Sequence, residues 1–139
     1  MDDAVRRSIE ERVRQEPYAR KLGLRLVDVG SGYARVEMDV TPEMANLFGM
    51  FHGGAIFSLM DEAFQVACNS HGTLAVALNV SVSYLATPEV GRCLTAEAKE
   101  SHRTAKIGHY AIQVIDESGK LIASCQALAY RKGTPLPFL

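Results

Sequence analysis

The chain has 139 residues, a formal net charge of −1, 47% hydrophobic and 22% charged residues. That length argues for one domain with room for a core, and the balanced charge excludes a general attraction to nucleic acid or an anionic membrane. The three cysteines, Cys68, Cys93 and Cys125, are odd in number, far apart and set in apolar stretches, which points away from disulfides or zinc and toward a reducing, cytoplasmic setting.

The start, "MDDAVRRSIEER", is charged and reads as a helix rather than a signal peptide. Over residues 3–15, Val5, Ile9 and Val13 recur every fourth position, with Asp2 or Asp3 to cap and Pro17 just beyond the end. "LRLVDV", the turn "GSG" at 30–32 and "YARVEMDV" then make a hairpin. Its second strand puts Ala34, Val36, Met38 and Val40 on one face and Tyr33, Arg35, Glu37 and Asp39 on the other. "TPEMAN" offers Thr41 as a cap and Pro42 at a first helical position, so a helical turn is expected.

Residues 54–70 predict the long helix, with His71 near its end and Gly72 as a left-handed cap. A strand over 74–85 carries Leu74, Val76, Leu78, Val80, Val82 and Tyr84 on one face, and small or polar residues on the other. Strands at 93–101 and 106–115 follow, separated by a turn at 102–105. "DESG" at 116–119 leads into a last strand at 120–131, and "GTPLPFL" reads as a loose tail. No apolar run approaches the roughly 20 residues of a membrane span. One long helix, apolar over most of its circumference, must be buried. The expected architecture is α+β: a curved antiparallel sheet of five to six strands wrapped around that helix. Residues 1–20 form an N-terminal helical extension, 21–133 the domain and 134–139 the tail.

The stretch "MFHGGAIFSLMDEAF", residues 50–64, carries the chemistry. The first N–H groups of a helix lack internal partners and stand at the positive end of its dipole. Gly53 and Gly54 let a substrate oxygen approach those groups, as in an oxyanion hole; a glycine pair also makes an ordinary tight turn. Asp61, in mid-helix, either faces solvent or a cation, or activates water. Eight residues separate Gly53 from Asp61, roughly 12 Å along the axis at about 1.5 Å per residue. One reacting carbon must lie about 3 Å from both its oxyanion donor and its nucleophile. If both residues are catalytic, the spacing favours a homodimer in which each chain lends Asp61 to the other's Gly53.

The segment from Asn46 through His52-Gly53-Gly54 to Asp61-Glu62 resembles the active-site segment of hotdog-fold acyl-CoA thioesterases, nearest the phenylacetate-degradation (PaaI-like) group. The similarity runs from about residue 20 to 131, through "ACNSHGTLAVALNVSVSYLATP", "VGRCLTAEAKE" and "GKLIASCQALAYRKG". The resemblance implies hydrolysis of an aryl-acetyl- or acyl-CoA, with coenzyme A part of the substrate and no cofactor or metal. It assigns catalytic roles to Gly53, Asp61, Asn46 and His52, with Glu62 a weaker candidate for the acid. It assigns substrate contacts to Gly54, Asn79, Tyr84 and the turn residues His102, Arg103, Thr104 and Lys106. Where some relatives offer a hydroxyl beside the acid, this chain has Ala77 and Gln65. Met44, Leu47, Phe48, Met50, Phe51 and Phe57 are candidates for an acyl pocket. The expected partners are the acyl-CoA and a second copy, with pairing into a dimer of dimers, and neither nucleic acid nor membrane. Two other readings stay open: a hydratase or dehydratase of the same fold, disfavoured by the lack of proline in 46–61, and a non-catalytic acyl-CoA-binding module.

Overall fold

The computed structural model describes residues 1–139. Helix α1 spans Asp3–Gln15, α2 Pro17–Leu22 and α3 Gly53–Asn69. The strands are β1 Arg25–Gly30, β2 Tyr33–Asp39, β3 Thr73–Tyr84, β4 Cys93–Arg103, β5 Ile107–Asp116 and β6 Leu121–Pro135. All neighbours are antiparallel, in the order β1-β2-β4-β5-β6-β3. The curved sheet wraps α3, which packs against β2, β4, β3 and β5. Eleven of its seventeen residues are buried, as an all-round apolar helix requires. No helix is long and apolar enough to cross a membrane.

Local chemistry accounts for most boundaries. The Asp2 carboxylate accepts from the N–H groups of Ala4 and Val5 and caps α1. Burial alternates along β2 on the expected faces. A short 3₁₀ turn forms at Pro42–Met44, although the Thr41 hydroxyl makes no capping bond. At the far end of α3, Asn69 bonds the backbone of both Gln65 and Ala75, tying the helix to β3.

Three expectations are corrected. Pro17 does not simply end α1; it occupies the first turn of α2, where its missing N–H costs nothing. The tail is not loose: β6 continues to Pro135, the Leu136 N–H bonds Gly72 O at 3.1 Å, and the Leu136 side chain is buried in the same core as Val5, Ile9 and Val13. Phe138 packs on that core beneath the Arg12 guanidinium, 5.3 Å from the ring centre. Strand β3 does not bury one continuous apolar face. A register shift between Ala77 and Asn79 switches its sides, so Ala75 is buried and Val80 and Val82 pack on the core. Val76 and Leu78 are left 41% and 56% exposed. β3 pairs only with β6, and its outer edge is open.

Candidate active site

The start of α3 is set by a folded-back loop. Asn46 N–H bonds Met50 O at 2.7 Å, and His52 N–H bonds Met44 O at 2.7 Å. The Asn46 Oδ1 accepts from Phe48 and Met50 N–H, at 2.9 and 3.0 Å, so the loop uses its oxygen and its amide NH2 has no partner in the chain. His52 is the N-cap residue, and its Nδ1 accepts from Gly54 N–H at 2.8 Å. An accepting Nδ1 places the ring proton of the neutral imidazole on Nε2, which makes that nitrogen a donor.

This arrangement separates the two glycines. The Gly54 N–H, grouped in the sequence with the candidate substrate contacts, is committed to His52. The Gly53 N–H has no acceptor in the chain. A Cβ on Gly54 would lie 3.0 Å from His52 Nδ1, whereas one on Gly53 would only touch the Tyr84 ring at 3.5 Å. Gly54 therefore makes room for the cap, and Gly53 leaves one donor at the positive end of α3.

Two turns along α3, adjacent acids have different fates. Glu62 is buried, 4% exposed, and its Oε1 has no hydrogen-bond partner. Its neighbour is Glu16, at the α1–α2 joint, and Gln65 Nε2 donates to Glu16 at 3.0 Å and to Glu62 at 3.4 Å. Burial first, then the charges of Glu16 and Asp61, push the Glu62 carboxyl up to about 8. It holds its proton at neutral pH, as a carboxyl beside a carboxylate must. Asp61 is half-buried and has no cationic neighbour. Burial and, second, the Glu16 charge raise its pKa above the ordinary carboxylate value. The alternative of a cation pair is thereby removed. Asp61 lines a cavity of about 620 Å³ together with Gln65 and Ala77; Glu62 does not.

The substrate-contact candidates fall in two places. Tyr84 and Asn79 are exposed on β3, Tyr84 against the start of α3. His102, Arg103, Thr104 and Lys106 lie at the exposed tip between β4 and β5. The Thr104 hydroxyl is occupied there, accepting from Lys106 and Ile107 N–H at 3.3 and 3.0 Å. Arg103 has only a distant partner, Glu100 at 3.9 Å. Sequence reasoning misses Arg131, whose guanidinium reaches Thr104 O at 2.7 Å and adds a cation to that tip. Only the β5–β6 pairing brings it there. Of the residues expected to form an acyl pocket, none lines the cavity beside Asp61; Leu47 and Phe48 stand 89% and 73% exposed.

Comparison with known proteins gives this geometry a family. Residues 48–123 match the model of the thioesterase superfamily. A putative esterase of Archaeoglobus fulgidus is 42% identical over 84% of this chain and 75% of its own length. The acyl-coenzyme A thioesterase PaaI of Escherichia coli K12 is 36% identical over 83% of this chain and 82% of its own. The solved structure of the E. coli PaaI protein from the phenylacetic acid degradation operon superposes with a TM-score of 0.90 at 32% identity, covering 94% of this chain and 95% of that one. The chain belongs to the thioesterase superfamily, in its PaaI-like hotdog-fold group, and is a thioester hydrolase.

Proposed function

We propose that the protein hydrolyses acyl- or aryl-acyl-CoA thioesters at sites shared between two copies of the chain. The observation that carries this reading is the unengaged Gly53 N–H at the head of a buried helix that also carries the cavity-facing Asp61. The thioester oxygen takes the Gly53 N–H. Asp61 of a second copy removes a proton from the attacking water, and the negative charge developing on oxygen is held by the N–H and the helix dipole. Collapse expels the coenzyme A thiolate, which takes up the proton that Asp61 received. The His52 Nε2–H and the free Asn46 amide are donors for the thioester or leaving sulfur. The basic tip of Arg103, Lys106 and Arg131 suits the coenzyme's phosphates.

The open edge of β3 and the exposed Leu47, Phe48, Val76 and Leu78 support a second copy, since proteins rarely leave a long apolar edge uncovered. The test is a panel of aryl- and acyl-CoA substrates with co-expressed variants. Asp61→Asn and Gly53→Pro, each inactive alone, should together recover about a quarter of wild-type turnover, because half the dimers are mixed and each has one intact site. Failure of the wild type to hydrolyse any member of the panel would overturn the reaction; no recovery on mixing would overturn the shared site.

A further inference from the structure

The cavity beside Asp61 has walls from four parts of the chain, one of them β3 through Leu74, Val76 and Ala77. Asp61 and Gln65 come from α3, Ile9 and Val13 from α1, and Leu136 and Phe138 from the tail. At about 620 Å³ it falls within the size range of small-molecule sites, and its lining is mostly apolar. Two of the four walls, α1 and the tail, lie outside residues 48–123, the segment that matches the thioesterase family. They are nonetheless fixed in place. Val13 and Leu136 are buried in the common core, and Arg12 lies over the Phe138 ring.

Geometry at the reacting carbon indicates what enters. A thioester carbon is planar with three substituents. Its oxygen is directed to the Gly53 N–H, and its sulfur leads to a polar, phosphate-bearing coenzyme that must remain in water. The remaining substituent departs from a carbon within a few ångströms of the water that Asp61 holds, and the apolar volume adjoining Asp61 is this cavity.

We propose that the cavity receives an apolar acyl group, aryl or medium-chain aliphatic, and that α1 and the C-terminal tail, through Ile9, Val13, Leu136 and Phe138, set how long that group can be. This rests on the shared-site thioesterase reading, and the test separates the two. Phe138 is the useful position, because it lies beyond the end of β6 and is half-buried, so substitution leaves the sheet intact. Phe138→Ala deepens the cavity and Phe138→Trp shortens it.

Two readouts are taken on wild type and both variants: kcat/KM over acyl-CoA substrates of increasing chain length, and calorimetric affinity for the matching S-alkyl-CoA thioethers, which cannot be hydrolysed. Affinity should rise roughly fourfold per methylene until the cavity is full. The ratio of kcat/KM for long over short acyl groups should rise about tenfold in Phe138→Ala and fall by a similar factor in Phe138→Trp. Turnover in which each variant scales the whole panel by one factor overturns the pocket and leaves the thioesterase reading standing. No turnover in wild type, with a thioether length limit that still moves with Phe138, overturns the thioesterase reading and keeps the pocket. Affinities indifferent to chain length overturn the pocket whatever the turnover.

Discussion

The head and the middle of α3 handle charge in opposite ways. At the head stands a backbone N–H with no acceptor in the chain, fixed by a loop and a histidine cap. It does not titrate, and its strength comes from the helix dipole. In the middle stand two carboxyls whose proton affinity depends on burial and on neighbouring acids. Stabilising an oxyanion calls for a donor that does not change with pH; moving a proton calls for a group that does. On the proposed mechanism one helix supplies both, two turns apart, and that separation is why two chains are needed to bring them to one carbon.

The contrast between head and middle breaks most sharply at Asp61. Asp61→Asn keeps the shape and removes the base, so kcat should fall by roughly 10²- to 10⁴-fold in steady-state assays with an acyl-CoA, with the melting curve unchanged or improved. An active Asp61→Asn enzyme would remove Asp61 from the mechanism. Next, Gly53→Pro deletes the N–H at a first-turn position that tolerates proline. The preceding His52 already has the extended backbone a proline demands, φ −70° and ψ 129°. The expected loss is roughly 10²- to 10³-fold in kcat without unfolding. Gly53→Ala, which keeps the N–H and only touches Tyr84, should retain most activity.

The acids sharpen the other half. Glu62 is protonated in the native state up to about 8, whereas in the unfolded chain it ionises near the ordinary glutamate value of 4.5. Across that window the native state binds the extra proton, so this group's contribution to stability falls as pH rises and is fully lost above the native pKa. Glu62→Gln is neutral throughout and keeps the shape of the side chain. It should match wild type below the window and exceed it progressively as pH rises, by up to about 4 kcal/mol at its top, measured by urea unfolding. The smallest effect belongs to Glu16→Gln. Removing that charge lowers the Asp61 pKa, so the acid limb of the kcat/KM profile should move to lower pH with little change in the plateau.

What could be read from the sequence was local or periodic. The long helix, the hairpin and the order of the strands follow from spacing and turn residues, and Asp61 stands out because a carboxylate interrupts an apolar helix. The choice of Asp61 over Glu62 comes from a family resemblance; in the structure the two differ first because Glu62 is buried and Asp61 half-buried, and second because the joint at the start of α2 sets Glu16 against Glu62. That helix was invisible because Pro17 serves equally as the end of α1 and the start of α2. The docked tail was invisible because "GTPLPFL" is punctuated like a loop, and only tertiary contact buries Leu136 and Phe138. The fate of Gly54 depends on one histidine rotamer, and the place of Arg131 on strand register; neither leaves a mark in composition or period.

The open edge of β3 also governs how such an enzyme behaves in an assay. On the shared-site reading, a lone chain carries both reacting groups and completes neither site, so turnover tracks the population of assembled pairs. Specific activity would then be constant in concentrated samples and drop with dilution once the pairs dissociate. Near that limit the rate becomes second order in protein, and saturating substrate, which bridges both chains, restores it.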